Sequence, residues 1–199
     1  FCVARGHTNQ RQLNPTQIPK LTQHEYIFIA VSIILGLAIT RLLHTIAMLT
    51  RAHVRVVFHW SSAMWALCVL IYILQLWWVG WGLRDVEVWA FLDFIVLIIG
   101  SIFLYGAAEM ALPAPEESNI DMLEQSKGLG RLSAASMLLY FLVGPYVNIA
   151  MYTNAIIPSI AVPSVGIMLM VLVITFPARF KVWAILFTIY SLAVLALTV

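Results

Sequence analysis

Charge is what this chain most lacks. Only 10% of its 199 residues are Asp, Glu, Lys or Arg, against about 25% in an ordinary soluble domain. With 62% of residues hydrophobic, the composition argues against a water-soluble domain and for a polytopic membrane protein. A net charge of +2 with no basic cluster leaves no electrostatic footprint for nucleic acid, which is not expected as a partner. Cysteine is scarce too. Cys2 and Cys68 are too few for a disulfide framework, and Cys68 lies mid-span, out of reach of a tail residue. There is no HExxH zinc motif, no Gly-rich phosphate loop and no Ser in a GxSxG turn. A retinal would need a Schiff-base Lys inside a helix, whereas Lys181 stands at a helix start. The expectation is a protein that is not an enzyme.

Long apolar runs are what the chain does have. The stretch from Val56 to Gly82 carries no Lys, Arg, Asp or Glu. At about 1.5 Å rise per residue, some 20 helical residues cross a hydrocarbon layer of roughly 30 Å. Within it, Ser61, Trp65, Cys68, Tyr72 and Gln75 recur at three- and four-residue spacings and share one helix face. Polar groups are costly against lipid, so this face is expected to turn inward, leaving Leu67, Ile71 and Leu74 more exposed. Trp77, Trp78 and Trp81 form the aromatic belt expected at a membrane–water boundary.

The same reading places a first helix from about Glu25 to Leu43 or a turn beyond, with Ser32, Gly36, Thr40 and His44 as a stripe permitting close helix approach. A third helix runs from Val88 to about Leu112 with Asp93, Gly100 and Ala107 in heptad register. In the loop that follows, Ser118 and Asp121 resemble a capping box and Gly128 a stop, so a short interfacial helix is expected there. A fourth helix, about Leu132 to Thr153, carries Tyr140, Gly144 and Asn148 on one face and is interrupted by Pro145. A fifth, about Ala155 to Phe176, contains Pro158 and Pro163, and a sixth covers Val182–Val199. The fold class is therefore an all-α integral membrane protein: a compact bundle of about six transmembrane helices with one short interfacial helix. Residues 1–20 form a polar tail and 21–199 the membrane domain.

Basic residues set the orientation. Arg51, Arg55, Lys127, Arg131, Arg179 and Lys181 lie in the odd-numbered turns, against Arg84 and three cations of the tail on the other side. The positive-inside rule puts the odd-numbered turns in the cytoplasm and both termini outside. The expected setting is a bacterial inner membrane.

Two constellations offer chemistry. His44, His53 and His59 gather near one membrane face, and His44 with His59 would suit a haem or a quinone headgroup. Neither cofactor is required by the sequence. Asp93 is an intramembrane carboxylate, which a proton or cation relay would use. A hydrogen bond from Gln75, Tyr72 or Trp78 would satisfy it structurally, and Glu109 would pair with Arg41 or Arg51. The reading preferred on these grounds is a non-catalytic accessory subunit in the lipid bilayer, assembled with other membrane subunits or with itself. A small transporter or channel using Asp93 and the proline-kinked fourth and fifth helices is the alternative. A haem- or quinone-binding redox protein using His44 and His59 comes third.

Overall fold

The computed structural model describes residues 21–86, 88–114, 120–152 and 155–198. Six helices make the fold: α1 Gln23–Arg51, α2 Trp60–Gly82, α3 Phe91–Glu109, α4 Met122–Tyr146, α5 Ile156–Thr175 and α6 Phe180–Thr198. All six are long and apolar enough to cross a membrane. They form a ring in which α1 packs on α3, α3 on α4, α4 on α5, α5 on α6 and α6 on α2, which returns to α1. The bundle has a basic end, where α1–α2, α3–α4 and α5–α6 connect, and a tryptophan-rich end carrying Trp77, Trp78, Trp81 and Trp89.

Local chemistry starts α1 cleanly. Thr22 accepts from the Glu25 amide at 3.2 Å, and the Glu25 carboxylate accepts from the Thr22 amide at 2.8 Å, a complete capping box. Ile27, Val31, Leu35, Ala38, Leu42, Thr45 and Leu49 then repeat at helical spacing and are buried. The stripe of Ser32, Gly36, Thr40 and His44 is not what α1 packs. Thr40 and His44 are exposed, and a Cβ on Gly36 would meet nothing within 4 Å. The longer aliphatic stripe wins the interior because it makes more dispersion contacts per turn. Thr40 needs no neighbour, since it donates to its own Gly36 carbonyl at 2.8 Å.

Two further expectations are corrected. First, α2 begins at Trp60, not Val56. His59 caps it by accepting from the Ser61 amide, and Val56–Val57 instead lie beside Ile120–Asp121 as a two-residue parallel pairing, β1 with β2. Second, no separate interfacial helix stands before the fourth helix. Asp121 is the N-cap, its Oδ1 accepting from the Leu123 amide at 2.9 Å, and α4 runs unbroken through Gly128 and Gly130. Ser118 lies outside the described residues. Gly130 serves packing, not termination, because the Phe180 ring occupies the space its Cβ would take. Pro145 is carried inside the fourth helix, as the expected span to about Thr153 implies. The helix continues to Tyr146 and then widens into a π turn over Val147–Met151, closed by the Tyr152 amide on the Val147 carbonyl at 3.1 Å.

Candidate functional site

The face of α2 read from spacing lies inside the bundle. Ser61, Trp65 and Cys68 are fully buried, Tyr72 nearly so and Gln75 half-buried, whereas Leu67 and Leu74 are exposed. Each of the first three residues has a satisfied polar group. Ser61 sits 2.7 Å from the Nδ1 of His59. The Trp65 indole donates to Ser133 Oγ at 2.9 Å, and Ser133 donates on to the Ala107 carbonyl at 2.8 Å, so α2, α4 and α3 are tied through two hydrogen bonds. Cys68 Sγ is 3.3 Å from Thr188 Oγ1. Thr188 already donates to the Ala184 carbonyl, so the thiol is the donor. One turn nearer the basic end, Ser62 and Ser126 share a buried hydrogen bond of 2.7 Å between α2 and α4.

The charged candidates are engaged at the ends of the bundle. Asp93, three residues into α3, reaches back to the Ala90 amide with Oδ2 at 2.9 Å and accepts from the Tyr146 hydroxyl with Oδ1 at 2.7 Å. Its donor thus comes from α4, not from Gln75, Tyr72 or Trp78 on α2. The heptad logic holds, because Gly100 and Ala107 are buried on this side of α3. What spacing could not tell is which helix stands opposite. Asp93→Asn keeps one acceptor and the shape, so it should cost about 1 kcal/mol. Asp93→Leu strands the Tyr146 hydroxyl and the Ala90 amide together and should cost roughly twice that in a detergent unfolding titration. Equal costs would show that neither hydrogen bond contributes. At the basic end, Arg41 Nε and Glu109 Oε2 pair at 2.7 Å, choosing Arg41 over Arg51.

The histidines are dispersed in role. His44 is exposed on α1, His53 approaches the Thr50 carbonyl at 3.2 Å, and His59 is committed to the start of α2. Among the described residues, no three of His, Cys, Asp or Glu converge as a metal site would need.

The most distinctive feature lies elsewhere. Between α2, α3, α4, α5 and α6, towards the tryptophan-rich end, lies a half-open cavity of about 480 Å³. The Tyr140, Gly144 and Asn148 ladder of α4 lines it, together with Tyr72 and Gln75 of α2, Pro158, Ser159 and Pro163 of α5 and Tyr190 of α6. No Asp, Glu, Lys, Arg or His lines it among the described residues. Pro145 and Pro163 cannot return an amide to the carbonyls of Phe141 and Ser159, so each helix carries a carbonyl without its usual intrahelical partner. Tyr190 braces the α5 kink by donating to the Val162 carbonyl at 2.8 Å.

Tyr72 anchors the cavity floor. Its ring stacks on Phe187 at 5.7 Å between centroids and meets Phe141 edge-on at 5.1 Å. Its hydroxyl is buried beside those of Tyr190 and Ser191. Tyr190, Ser159 and Ser133 were not singled out by sequence. Tyr190 carried one faint signal, being the middle of a Thr188, Tyr190 and Ser191 cluster in an otherwise apolar helix. Comparison of the chain with protein-family models, with curated proteins and with solved structures found no match.

Proposed function

We propose that this chain is an integral membrane protein that holds a small neutral molecule in the cavity between α2 and α6, as a binding protein or carrier and not as an enzyme. The observation that carries this reading is the uncharged cavity itself, walled by two proline-bearing helices. Its volume falls within the roughly 300–1,000 Å³ of small-molecule sites. An ion is a poor occupant, since a charge in a low-dielectric pocket without a counter-charge is strongly disfavoured. Asp93 does not line the cavity and spends its oxygens on Ala90 and Tyr146, so a relay through it has less support than a neutral cargo. The test is solvent extraction and mass spectrometry of the purified protein, beside Gly144→Leu, which projects a side chain into the cavity. A stoichiometric small molecule in the wild type that disappears in Gly144→Leu supports the reading. Identical extracts from two equally folded proteins overturn it.

The proposed orientation keeps the basic end cytoplasmic, in a bacterial inner membrane, because Arg51, Arg55, Arg179 and Lys181 lie at the turns of that end and Lys127 and Arg131 in the first three turns of α4. Cysteine placed at exposed Ala114 should then label only from the cytoplasmic side, and cysteine at Asp85 only from outside. The buried Cys68 supplies little background. The reverse pattern would invert the topology.

A second reading, as an accessory subunit, is favoured by one observation. Between α1 and α2 runs a groove of about 990 Å³, lined by Ser32, Phe28, Leu74 and Trp78. With Gly36 open beside it, this face has room for another helix. Gly36→Leu should weaken an assembly without moving the melting temperature of the isolated chain.

A further inference from the structure

Resting on the membrane reading above but not on the cavity, we infer that the basic end projects past the bilayer and docks an acidic amphipathic segment of a partner protein. The helices do not end at one height there. Glu109, the last residue of α3, pairs with Arg41, so α1 runs on for ten residues, about 15 Å, to Arg51. Phe180, the first residue of α6, lies against Gly130, so α4 reaches about 12 Å further to Met122. Trp65 also packs on Phe180, which leaves the start of α2 about 7.5 Å beyond it.

Charge marks this height as the edge of the hydrocarbon. Arg41 and Glu109 have side chains 41% and 34% exposed, and an ion pair so exposed would be expensive about 15 Å inside lipid. Arg131 follows Gly130 in the chain, and Arg179 and Lys181 flank Phe180, at the same level. Towards the other end, Glu25 and Asp93 stand 16 residues from Arg41 and Glu109, about 24 Å along α1 and α3. That separation suits a hydrocarbon core of roughly 30 Å.

The projecting part is nonetheless apolar on its surface. Leu43, Val54, Val57 and Phe58 are each more than half exposed. Between α1 and α2 lies a half-open pocket of about 520 Å³. Its inner end, at Leu67 and Leu70, meets the hydrocarbon, while its outer end, at Thr50, His53 and Phe58, stands clear of it. Apolar surface beyond the reach of acyl chains marks a protein-docking site. The surrounding charge specifies the partner. Arg51, His53 and Arg55 fall within five residues and are all exposed. No Asp or Glu lines the pocket among the described residues. Of the acids nearby, Asp121 caps α4 and Glu124 pairs with Lys127. A helix with apolar anchors in the pocket and carboxylates over the Arg51–Arg55 turn fits this surface.

Two measurements on the full-length protein, in nanodiscs of zwitterionic lipid, test the assignment. In the first, nitroxide labels at Thr50, Val57 and the mid-span Ile102 are relaxed by a water-soluble nickel chelate or by oxygen. Thr50 and Val57 should respond mainly to the chelate, and Ile102 mainly to oxygen. If all three respond to oxygen alone, lipid tails cover the pocket and the docking proposal fails while the membrane reading stands. If the chelate also reaches Ile102, the membrane reading fails and takes the proposal with it. The second measurement uses a fluorescent synthetic peptide helix with Leu and Phe on one face and Glu on the other, beside its Lys counterpart. Anisotropy, with empty nanodiscs subtracted, should show the Glu peptide binding more tightly, a preference lost at high salt. Arg51→Glu with Arg55→Glu should reverse that preference. Ala63→Phe, which fills the pocket from α2, and Phe58→Ser, which removes its exposed rim, should each weaken binding about tenfold, as for loss of one buried anchor. Equal binding of the two peptides, or unchanged binding by both pocket variants when they melt like wild type, overturns the proposal.

Discussion

Trp65→Ala is expected to lower the stability of the bundle more than any other single truncation in α2, by about 3 kcal/mol. The argument begins from burial. Trp65 has no exposed surface, and its indole packs on Phe187 and Phe180 with centroids 4.9 and 5.5 Å apart. Removing the ring opens a cavity that these two rings cannot close without leaving their own places, since both are fully or almost fully buried. In water the comparable change costs about 3–5 kcal/mol, part of which is hydrophobic transfer. Inside a bilayer the transfer part largely vanishes, because lipid tails are as apolar as the core, and what remains is lost packing. The lower end of the range is therefore expected.

A control separates packing from hydrogen bonding. Trp65→Phe keeps most of the ring and removes only the donation to Ser133. Ser133 still donates to the Ala107 carbonyl, so its proton is not stranded. Its cost should stay near the average of about 0.6 kcal/mol measured for interhelical hydrogen bonds in membranes, plus a small volume term. Ser133→Ala should cost more, because it strands the buried indole N–H. Melting of the detergent-solubilised protein reads the series. A drop of roughly 6–12 °C for Trp65→Ala and much less for Trp65→Phe is expected. Equal drops would show that the hydrogen bond, not the ring, holds α2 in place.

That a tryptophan at position 65 faces inward was legible from its spacing with Ser61, Cys68 and Tyr72. That Ser133 receives it was not, for periodicity reports which side of a helix is apolar and says nothing of the helix opposite. The same limit explains Asp93, whose inward side was clear while its donor, Tyr146, sits 53 residues away on α4. On α1 a small-residue stripe and an aliphatic stripe competed on one helix. The sequence reading picked out the small-residue stripe, and the packed bundle has the aliphatic one inside. The cavity was half visible. Pro163 and the Tyr140, Gly144 and Asn148 ladder were legible on its wall, but that Tyr72 of α2 and Tyr190 of α6 complete it required the packed bundle.

Glycine was the residue type most easily misread, and it supplies a sharp test. A Cβ on Gly80 would lie 1.8 Å from Cε1 of Phe28, whereas one on Gly130 would lie 2.6 Å from Cε2 of Phe180. Judged by distance alone, Gly80→Ala should do the greater damage. The opposite is expected, because the outcome depends on what the displaced ring can do. Phe28 is only partly buried and lines the wide groove between α1 and α2, so its ring can rotate into open space. The cost is its tilted contact with His24, whose Nε2 lies 3.1 Å from the Gly80 carbonyl. Phe180 is 1% exposed and backed by Trp65, which is held to Ser133 in turn. A methyl on Gly130 must push that ring into the tightest part of the core or move α4 away from α6. Overpacking of this kind costs about 1–3 kcal/mol, and the upper part of the range applies where no neighbour can yield. Gly80→Ala should cost under about 1 kcal/mol, since only one part-exposed ring moves. Pairing Gly130→Ala with Phe180→Leu should recover part of the loss, because the smaller side chain vacates the contested space, so the two changes will not add. If Gly130→Ala melts like wild type, or if Phe180→Leu merely adds its own cost, then Phe180 does not enforce glycine at position 130, and the uninterrupted run of α4 past it needs another explanation.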